Sequence, residues 1–292
     1  MISNLNLKID HVTIAGSSLK KLEDEFGKRL GMKPDYGGPH SNGITHMSLL
    51  SFEDGSYIEL ISVIRPGQSP IWPKFIAHDG GPCAWAVGVD NISDEIERIR
   101  KLGLSATGPE DYSRRRPDGA LVEWQLGFIG DKPPGATLPF LIKDKTPREL
   151  RVKPSGGSSQ RGNSNDSIPK GVERVVLGVN EMEKEIGIFR KVYGWGAPRK
   201  SDDLLEETII AEFENTPVIL ATPKGDGKKS WLRDRLLRFG DSPCRFLVGT
   251  NNMKEAVKKY GLVNEQDWFG NKVAWIPPAG PFGTVLGFIQ SR

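Results

Sequence analysis

The sequence feature that most constrains the fold is an internal repeat. The segment IDHVTIAGSSLKKLEDEFGKRLGM, which starts at Ile9, has the same layout as VERVVLGVNEMEKEIGIFRKVYGW, which starts at Val172. Further along, FEDGSYIELI aligns with FENTPVILAT, and GGPCAWAVGVDNISDEIERI aligns with DSPCRFLVGTNNMKEAVKKY, in the same order and without gaps. Three matching blocks in one order predict that the two halves of the chain are copies of one scaffold.

Each half divides again into two similar units. The segment AWAVGVDNISDEIERIRKLGL repeats the layout that begins at Ile9, in which a strand leads into an amphipathic helix that ends at a glycine. Short runs such as THMSLLSF and LVEWQLGF, bounded by turn residues, are typical of strands. The sequence therefore predicts an α+β protein of four βαβββ units, paired into two half-open, cupped sheets with helices outside.

The boundary between the halves is marked by composition. Residues 151–170 are rich in Gly, Ser, Asn and Pro and contain few apolar side chains, which is typical of a linker or a long surface loop. We therefore expect a first domain over residues 1–150, which carries the site, a linker over 151–170, and a second, degenerate domain over 171–292.

Composition limits the classes of function. The chain has no apolar run long enough to cross a membrane and no secretory signal at its N-terminus. Two cysteines among 292 residues fit a reducing compartment, so we expect the cytoplasm. The 40 basic and 37 acidic residues balance too closely to favour a nucleic-acid partner. A small-molecule substrate is expected instead, and the sequence leaves a homodimer open.

Several short motifs connect the first half to a known family. They are GGPH at 37–40, NGITH at 42–46, YIEL at 57–60, RRRPDG at 114–119, Trp124, and LPFLI at 138–142. With these motifs the first half resembles the glyoxalase-like domain family, within the vicinal oxygen chelate superfamily of glyoxalases and extradiol dioxygenases. Residues 170–292 resemble only the general βαβββ unit, which that superfamily uses in pairs.

The resemblance implies a divalent metal ion in the mouth of the cup, held by side chains of the first and last strands of the units. His11 falls on the first-strand position and Glu59 on the last-strand position, and this donor pair suits Zn, Fe, Mn, Co or Ni. Glu59 lies in the apolar run YIELISV, where a carboxylate is costly unless it is paired or bound to a metal.

The expected set of two ligands from each unit is incomplete. The second unit has Ala84 at the position of His11, and its last strand offers no carboxylate between Pro139 and Ile142. His46, on the strand after the Asn-Gly turn, is the candidate that would complete the set. Whether His46 acts as a ligand, as a general base or as a polar contact stays open.

The second half keeps the scaffold without these side chains. Arg174 stands opposite His11, Leu220 opposite Glu59, and Glu207 opposite His46. We therefore expect the second half to have a structural role.

Four more residues are candidates for substrate binding. Arg114 and Arg116 lie on the same side of an extended run, and guanidinium groups suit a carboxylate or phosphate. Trp124 follows on the next predicted strand and would form an apolar wall. His40, on the loop after Pro39, is expected to contact the substrate.

The leading hypothesis is a metal-dependent enzyme of the isomerase, lyase or hydrolase type. A small, oxygen-rich and acidic substrate would bind the metal through neighbouring oxygens, and Glu59 or His46 would move the proton. An oxygenase is less favoured. Two alternatives stay open: a metal-free small-molecule binding protein, and a metal-independent enzyme with His11, His46 and Glu59 as its acid–base set.

Overall fold

The computed structural model of the chain describes residues 7–68, 71–153, 169–203, 207–225, 230–278, 282 and 285–290. They form two eight-stranded sheets, one from each half of the chain.

The first sheet contains two βαβββ units side by side. Its strands are β1 (Ile9–Ala15), β2 (Asp35–Pro39), β3 (Thr45–Ser51), β4 (Tyr57–Val63), β5 (Gly81–Gly88), β6 (Ala106–Arg115), β7 (Leu121–Ile129) and β8 (Phe140–Asp144). They are ordered β2-β3-β4-β1-β5-β8-β7-β6. The first strands of the two units, β1 and β5, pair antiparallel at the centre, and each pairs in parallel with the last strand of its own unit.

The second sheet repeats this arrangement. Its strands are β9 (Val172–Gly178), β10 (Arg199–Asp203), β11 (Thr208–Glu212), β12 (Val218–Pro223), β13 (Ser242–Gly249), β14 (Val263–Trp268), β15 (Asn271–Trp275) and β16 (Leu286–Gln290). The order β10-β11-β12-β9-β13-β16-β15-β14 is the counterpart of the first. The duplication, the βαβββ units and the two curled sheets are thus confirmed, and the units pair within each half.

The helices follow the predicted signals. They are α1 (Leu19–Leu22), a π-helical turn (Glu23–Gly27), α2 (Lys28–Leu30), α3 (Pro73–Ala77), α4 (Ile92–Lys101), α5 (Arg148–Arg151), α6 (Met182–Tyr193), α7 (Trp231–Phe239) and α8 (Met253–Tyr260). The side chains of Asn91 and Asn252 cap the N-termini of α4 and α8. Gly31, Gly194 and Gly261 adopt the left-handed conformation where α2, α6 and α8 end.

The largest apolar cluster contains residues of both halves. Strand β1 contributes Val12 and Ile14, and β9 contributes Val175 and Leu177. Because side chains alternate along a strand, the neighbours of Val12 and Ile14 face the opposite, concave side of the first sheet. His11 and Ala15 are among them, and the sheet therefore carries the candidate site on its concave face.

The expected linker begins later than the sequence indicated. Arg151 and Val152 are buried beside the first sheet, at the end of the short helix α5. Most of the remaining linker, residues 154–168, lies outside the described residues. In the described ranges, no helix is long and apolar enough to cross a membrane.

Candidate functional site

A cavity of about 740 Å³, counted with its open mouth, lies on the concave face of the first sheet. Its wall is mostly apolar and aromatic, with Met47, Leu49, Ile61, Ile71, Trp72, Tyr112, Trp124, Leu126, Phe140 and Ile142. The polar groups that border the cavity include His11, His40, Glu59 and Arg114. A largely apolar pocket with a few convergent polar groups is typical of a small-molecule site.

Glu59 lies between two imidazoles. Its Oε1 is 3.5 Å from His40 Nε2, and its Oε2 is 4.0 Å from His11 Nε2. Thr13 Oγ1 donates a hydrogen bond of 3.0 Å to Oε2. The side chain of Glu59 is 9% exposed, so this carboxylate is buried beside polar partners, as the sequence predicted for a functional group.

Asp10 orients His11 from behind. Ile9 pairs with Val87 and His11 with Ala86, so Asp10 is an extra, bulged residue in β1. Its Oδ1 lies 2.7 Å from His11 Nδ1. An ionised carboxylate only accepts hydrogen bonds, so Nδ1 carries a proton and Nε2 is the ring nitrogen that faces Glu59.

Asp10 is held in turn by the helix that ends the first half. Arg151 donates hydrogen bonds of 3.0 and 2.9 Å to the two carboxylate oxygens, and Arg148 donates one of 2.5 Å. Arg151 also donates to the Tyr57 hydroxyl at 2.7 Å, and the Tyr57 ring stacks on His11 with centroids 4.6 Å apart. The dipeptide Asp10-His11 was the one available sequence signal for this network, which the sequence analysis missed.

Charge keeps both carboxylates ionised. Burial raises the pKa of Asp10, but the charges of Arg151 and His11 outweigh burial and hold it well below its usual range. Burial likewise raises the pKa of Glu59. The hydrogen bond from His40 and the charges of both histidines outweigh burial, so the pKa of Glu59 is lowered overall. At neutral pH, His11 therefore lies between two negative charges.

His46 lies outside this group. Thr45, Met47 and Leu49 border the cavity, so the alternation of β3 directs His46 to the other face of the sheet. There its ring packs edge-on against Tyr36, with centroids 6.0 Å apart, and burial lowers its pKa. The expectation that His46 joins His11 and Glu59 is therefore wrong in its geometry, and His40 takes that place.

The substrate-binding candidates separate into two groups. His40, Arg114 and Trp124 border the cavity as expected, but Arg116 does not and instead lines a separate pocket. Arg114 is buried and donates from one terminal nitrogen to the Gly37 carbonyl and from the other, at 2.8 Å, to the Arg151 carbonyl.

The donor set does not fit the metal site that the resemblance implied. Thr13 pairs with Glu59 between β1 and β4 as Ala86 pairs with Phe140 between β5 and β8, so Phe140 occupies the position of Glu59 in the second unit. Neither Phe140 nor Ala84 can bind a metal. Among the described residues, no group of three or more His, Cys, Asp or Glu side chains is arranged to hold a metal ion.

Solved structures share this fold over almost the whole chain. A hypothetical protein from Staphylococcus aureus is 14% identical, with a TM-score of 0.61 over 98% of this chain and 100% of that one. A mutant of 4-hydroxymandelate synthase from Streptomyces coelicolor is 11% identical, with a TM-score of 0.65 over 98% and 92%. A xylose isomerase-like TIM barrel/4-hydroxyphenylpyruvate dioxygenase fusion protein is 12% identical, with a TM-score of 0.55 over 98% and 49%.

Comparison at the level of sequence gives one match. No curated protein matches the chain significantly. The model of the glyoxalase-like domain matches residues 9–185, which span the complete first sheet, β9 and the start of α6. This match includes the cavity and covers more than half of the sequence. The chain therefore belongs to the glyoxalase-like domain family.

Proposed function

We propose that the chain is an enzyme that moves a proton on a small carbonyl compound bound in the cavity of the first half. The observation that carries this proposal is the continuous row of groups Asp10–His11–Glu59–His40 beside a largely apolar cavity. Proton abstraction next to a carbonyl group leads to isomerisation or elimination, so an isomerase or a lyase is the favoured class.

His11 is the proposed general base. With its Nδ1 proton held by Asp10, Nε2 is free to take a proton from the carbon next to the substrate carbonyl. The ionised Glu59 then stabilises the imidazolium that forms. His40, on the other side of Glu59, is placed to donate a proton to the carbonyl oxygen, which gives an enol. Return of the proton from His11 to another carbon, with return of the enol hydroxyl proton to His40, completes an isomerisation and restores both histidines.

The wall of the cavity indicates the substrate class. Aromatic and aliphatic side chains suit a small apolar body. Arg114 adds a positive charge to the same wall, which favours a substrate with an acidic group. Small 2-oxo acids and related dicarbonyl compounds combine these properties.

A second candidate is the metal-dependent form of this enzyme. A carboxylate on the far nitrogen of an imidazole, as Asp10 provides for His11, is the usual partner of a metal-binding histidine. A divalent ion would supply a Lewis acid for the substrate oxygens. This candidate requires His11, Glu59 and His40 to rearrange, because in the described residues they are not arranged as metal ligands and the second unit offers no donor.

Exchange of substrate hydrogens with deuterated solvent, followed by NMR over a panel of small 2-oxo acids and dicarbonyl compounds, tests the proposal. We expect the wild-type protein to catalyse exchange on a subset of the panel. His11→Ala should lower the rate by about 10²- to 10⁴-fold, since a general base contributes that much. Glu59→Gln should also lower it, and His46→Ala is the matched control that should leave it unchanged.

Two results would contradict the proposal. One is wild-type exchange that survives both His11→Ala and Glu59→Gln, and the other is a loss with His46→Ala as large as with His11→Ala. Treatment with a chelator separates the two candidates. Full activity afterwards supports the metal-independent enzyme, and loss that is restored by added divalent ions supports the metal-dependent one.

A further inference from the structure

A second pocket, of about 400 Å³, lies beside the cavity described above. Strand β2, the turn between β6 and β7 and the chain after α5 form its walls. Its charged lining consists of Arg114, Arg116, Arg151, Lys153, Asp35 and Asp118. Asp35 and Asp118 pair with Lys153 and Arg116, and Arg151 pairs with Asp10 and Asp144. Among the described residues, Arg114 is therefore the cation without a carboxylate partner in this pocket, named the outer pocket below.

Arg114 is the strongest indication of a ligand. This side chain is part of a residue only 4% exposed, and in the described parts of the chain no carboxylate lies within ion-pair distance of it. Its terminal nitrogens donate only to backbone carbonyls, and its buried Nε has no hydrogen-bond partner. Burial is the main cause that lowers the pKa of Arg114; the charges of Arg116 and Arg151 act in the same direction, and Tyr57 and Glu59 oppose them without reversing the shift. A buried cation without a counter-charge is costly, and a bound anion would remove that cost.

Two more basic side chains are placed to help. Arg116 donates a 3.0 Å hydrogen bond to the Leu150 carbonyl and pairs with Asp118 at 3.0 Å. Lys153 is 3.8 Å from Asp35, and both of these side chains are at least half exposed. The exposed Lys153–Asp35 pair contributes little stability, so Lys153 can turn toward a ligand at small cost. The Arg116 side chain is only 10% exposed and already lies in the wall of the pocket.

We propose that the outer pocket binds the carboxylate or phosphate group of a small ligand, through Arg114, Arg116 and Lys153. The guanidinium fork suits both kinds of group because it presents two donors to two oxygens. The pocket shares only Arg114 and Arg151 with the cavity. The ligand group is therefore either a separate anion or the acidic end of a molecule that also enters the cavity.

Calorimetric titration of the full chain with inorganic phosphate tests this inference without any activity assay. We expect binding by the wild-type protein and weakening by roughly tenfold in Arg116→Gln. Arg115→Gln is the matched control. Its side chain is exposed and donates only to the Gly119 carbonyl, at 3.3 Å, so the same loss of charge should change affinity by less than about twofold.

Absence of phosphate binding by the wild-type protein would overturn the inference, as would equal weakening in Arg115→Gln and Arg116→Gln. Failure of the proposed proton-transfer activity would leave the binding result untouched. Where activity is found, phosphate as a competitor distinguishes the two sources of the anion. If phosphate raises the KM of the substrate, the acidic end of the substrate binds in the outer pocket. If the KM is unchanged, the anion is a separate ligand. In both cases the outer pocket is an anion-binding site.

Discussion

Asp10 links the stability of the first half to the orientation of His11. It is bulged out of β1, contacts the imidazole on one side, and accepts hydrogen bonds from Arg148 and Arg151 on the other. Arg151 is almost fully buried and also pairs with Asp144, so the group is a compact network of charges. Removal of one charge should therefore affect both the fold and the site.

Asp10→Asn should lower the free energy of unfolding at pH 7 by about 3 kcal/mol, because Arg151 stays buried with one carboxylate partner fewer. Urea denaturation measures this loss. The exposed Asp90 provides the control, since Asp90→Asn should change stability by less than about 0.5 kcal/mol. Equal stability of the two variants would show that the network contributes nothing to the fold.

The same substitution changes the response to acid. The pKa of Asp10 is lowered in the folded state, so the stabilisation is complete above its unfolded pKa of about 3.9 and is lost as the pH falls through the lower folded pKa. The wild-type protein should therefore lose stability steeply below about pH 4. In Asp10→Asn this part of the slope should be missing, although Glu59 still contributes in the same direction.

At the scale of the elements, the two copies of the first strand keep the same irregularity and differ in chemistry. In β9, Val172 pairs with Val248 and Arg174 with Leu247, so Glu173 is the bulged residue. Glu173 Oε1 lies 3.4 Å from Arg174 Nη1, as Asp10 lies beside His11. A guanidinium stays protonated at any physiological pH. The second copy therefore keeps the bulged carboxylate, but the side chain beside it cannot act as a base.

Strand β3 shows which part of the site the sequence could predict. Periodicity located the strand and the βαβββ unit correctly, but every residue of β3 except His46 is buried, so neither face of the strand is marked as the cavity side. Because the sequence does not show which face of β3 borders the cavity, it could not show that His40, and not His46, lies beside Glu59. The bulge at Asp10 and the burial of Arg151 were also hidden, because each is set by pairing with residues distant in sequence.

The segment between β7 and β8 illustrates how closely the elements approach each other. Gly135 has a φ of +73°, and a Cβ there would lie 2.7 Å from Ala84 Cβ and 2.8 Å from the Trp85 backbone nitrogen. This segment also accepts hydrogen bonds from Trp72 at the Pro134 carbonyl and from Trp85 at the Thr137 carbonyl. Its backbone therefore packs directly on β5.

Gly135→Ala should destabilise the protein by about 3 kcal/mol, because left-handed strain and a clash with backbone atoms add together. Gly31→Ala is the control, with a φ of +61° and no atom within 4 Å of its Cβ position, and it should cost only about 1 kcal/mol. Thermal unfolding of the two variants measures the difference. Equal melting temperatures would mean that the segment moves away from β5 without cost.

At the scale of the whole molecule, the second half repeats the scaffold of the first without counterparts of His11 and Glu59. The ungapped alignment placed Leu220 opposite Glu59, but Val176 pairs with Ile219 as Thr13 pairs with Glu59, so Ile219 takes that position and Leu220 faces the shared apolar core. The guanidinium of Arg245 lies between the rings of Trp231 and Trp275, 4.2 and 4.5 Å from their centroids. These large side chains pack on the concave side of the second sheet. Arg235, on α7, donates to the Gly80 carbonyl at 2.7 Å and to the Pro82 carbonyl, and so connects the second half to β5 of the first.

A second polar connection joins the halves at Lys132. This lysine, in the first half, donates hydrogen bonds of 2.6 Å to Glu185 Oε1 and 2.8 Å to Asp241 Oδ2 in the second. The Glu185 side chain is 1% exposed, and its other oxygen has no hydrogen-bond partner. The charge of Lys132 is therefore what makes burial of this carboxylate tolerable.

Lys132→Met should lower the free energy of unfolding by about 3 kcal/mol, because it leaves the buried Glu185 carboxylate without its cation. The double variant Lys132→Met/Glu185→Gln removes the stranded charge and should recover about half of that loss. Lys101→Met is the control, since Lys101 pairs with Glu97 at 2.6 Å on the surface and should contribute less than about 1 kcal/mol. Urea denaturation of the four proteins measures the coupling between the halves. If Lys132→Met and Lys101→Met were equally stable, the buried pair would not hold the halves together, and the shared apolar core and the contacts of Arg235 would do so without it.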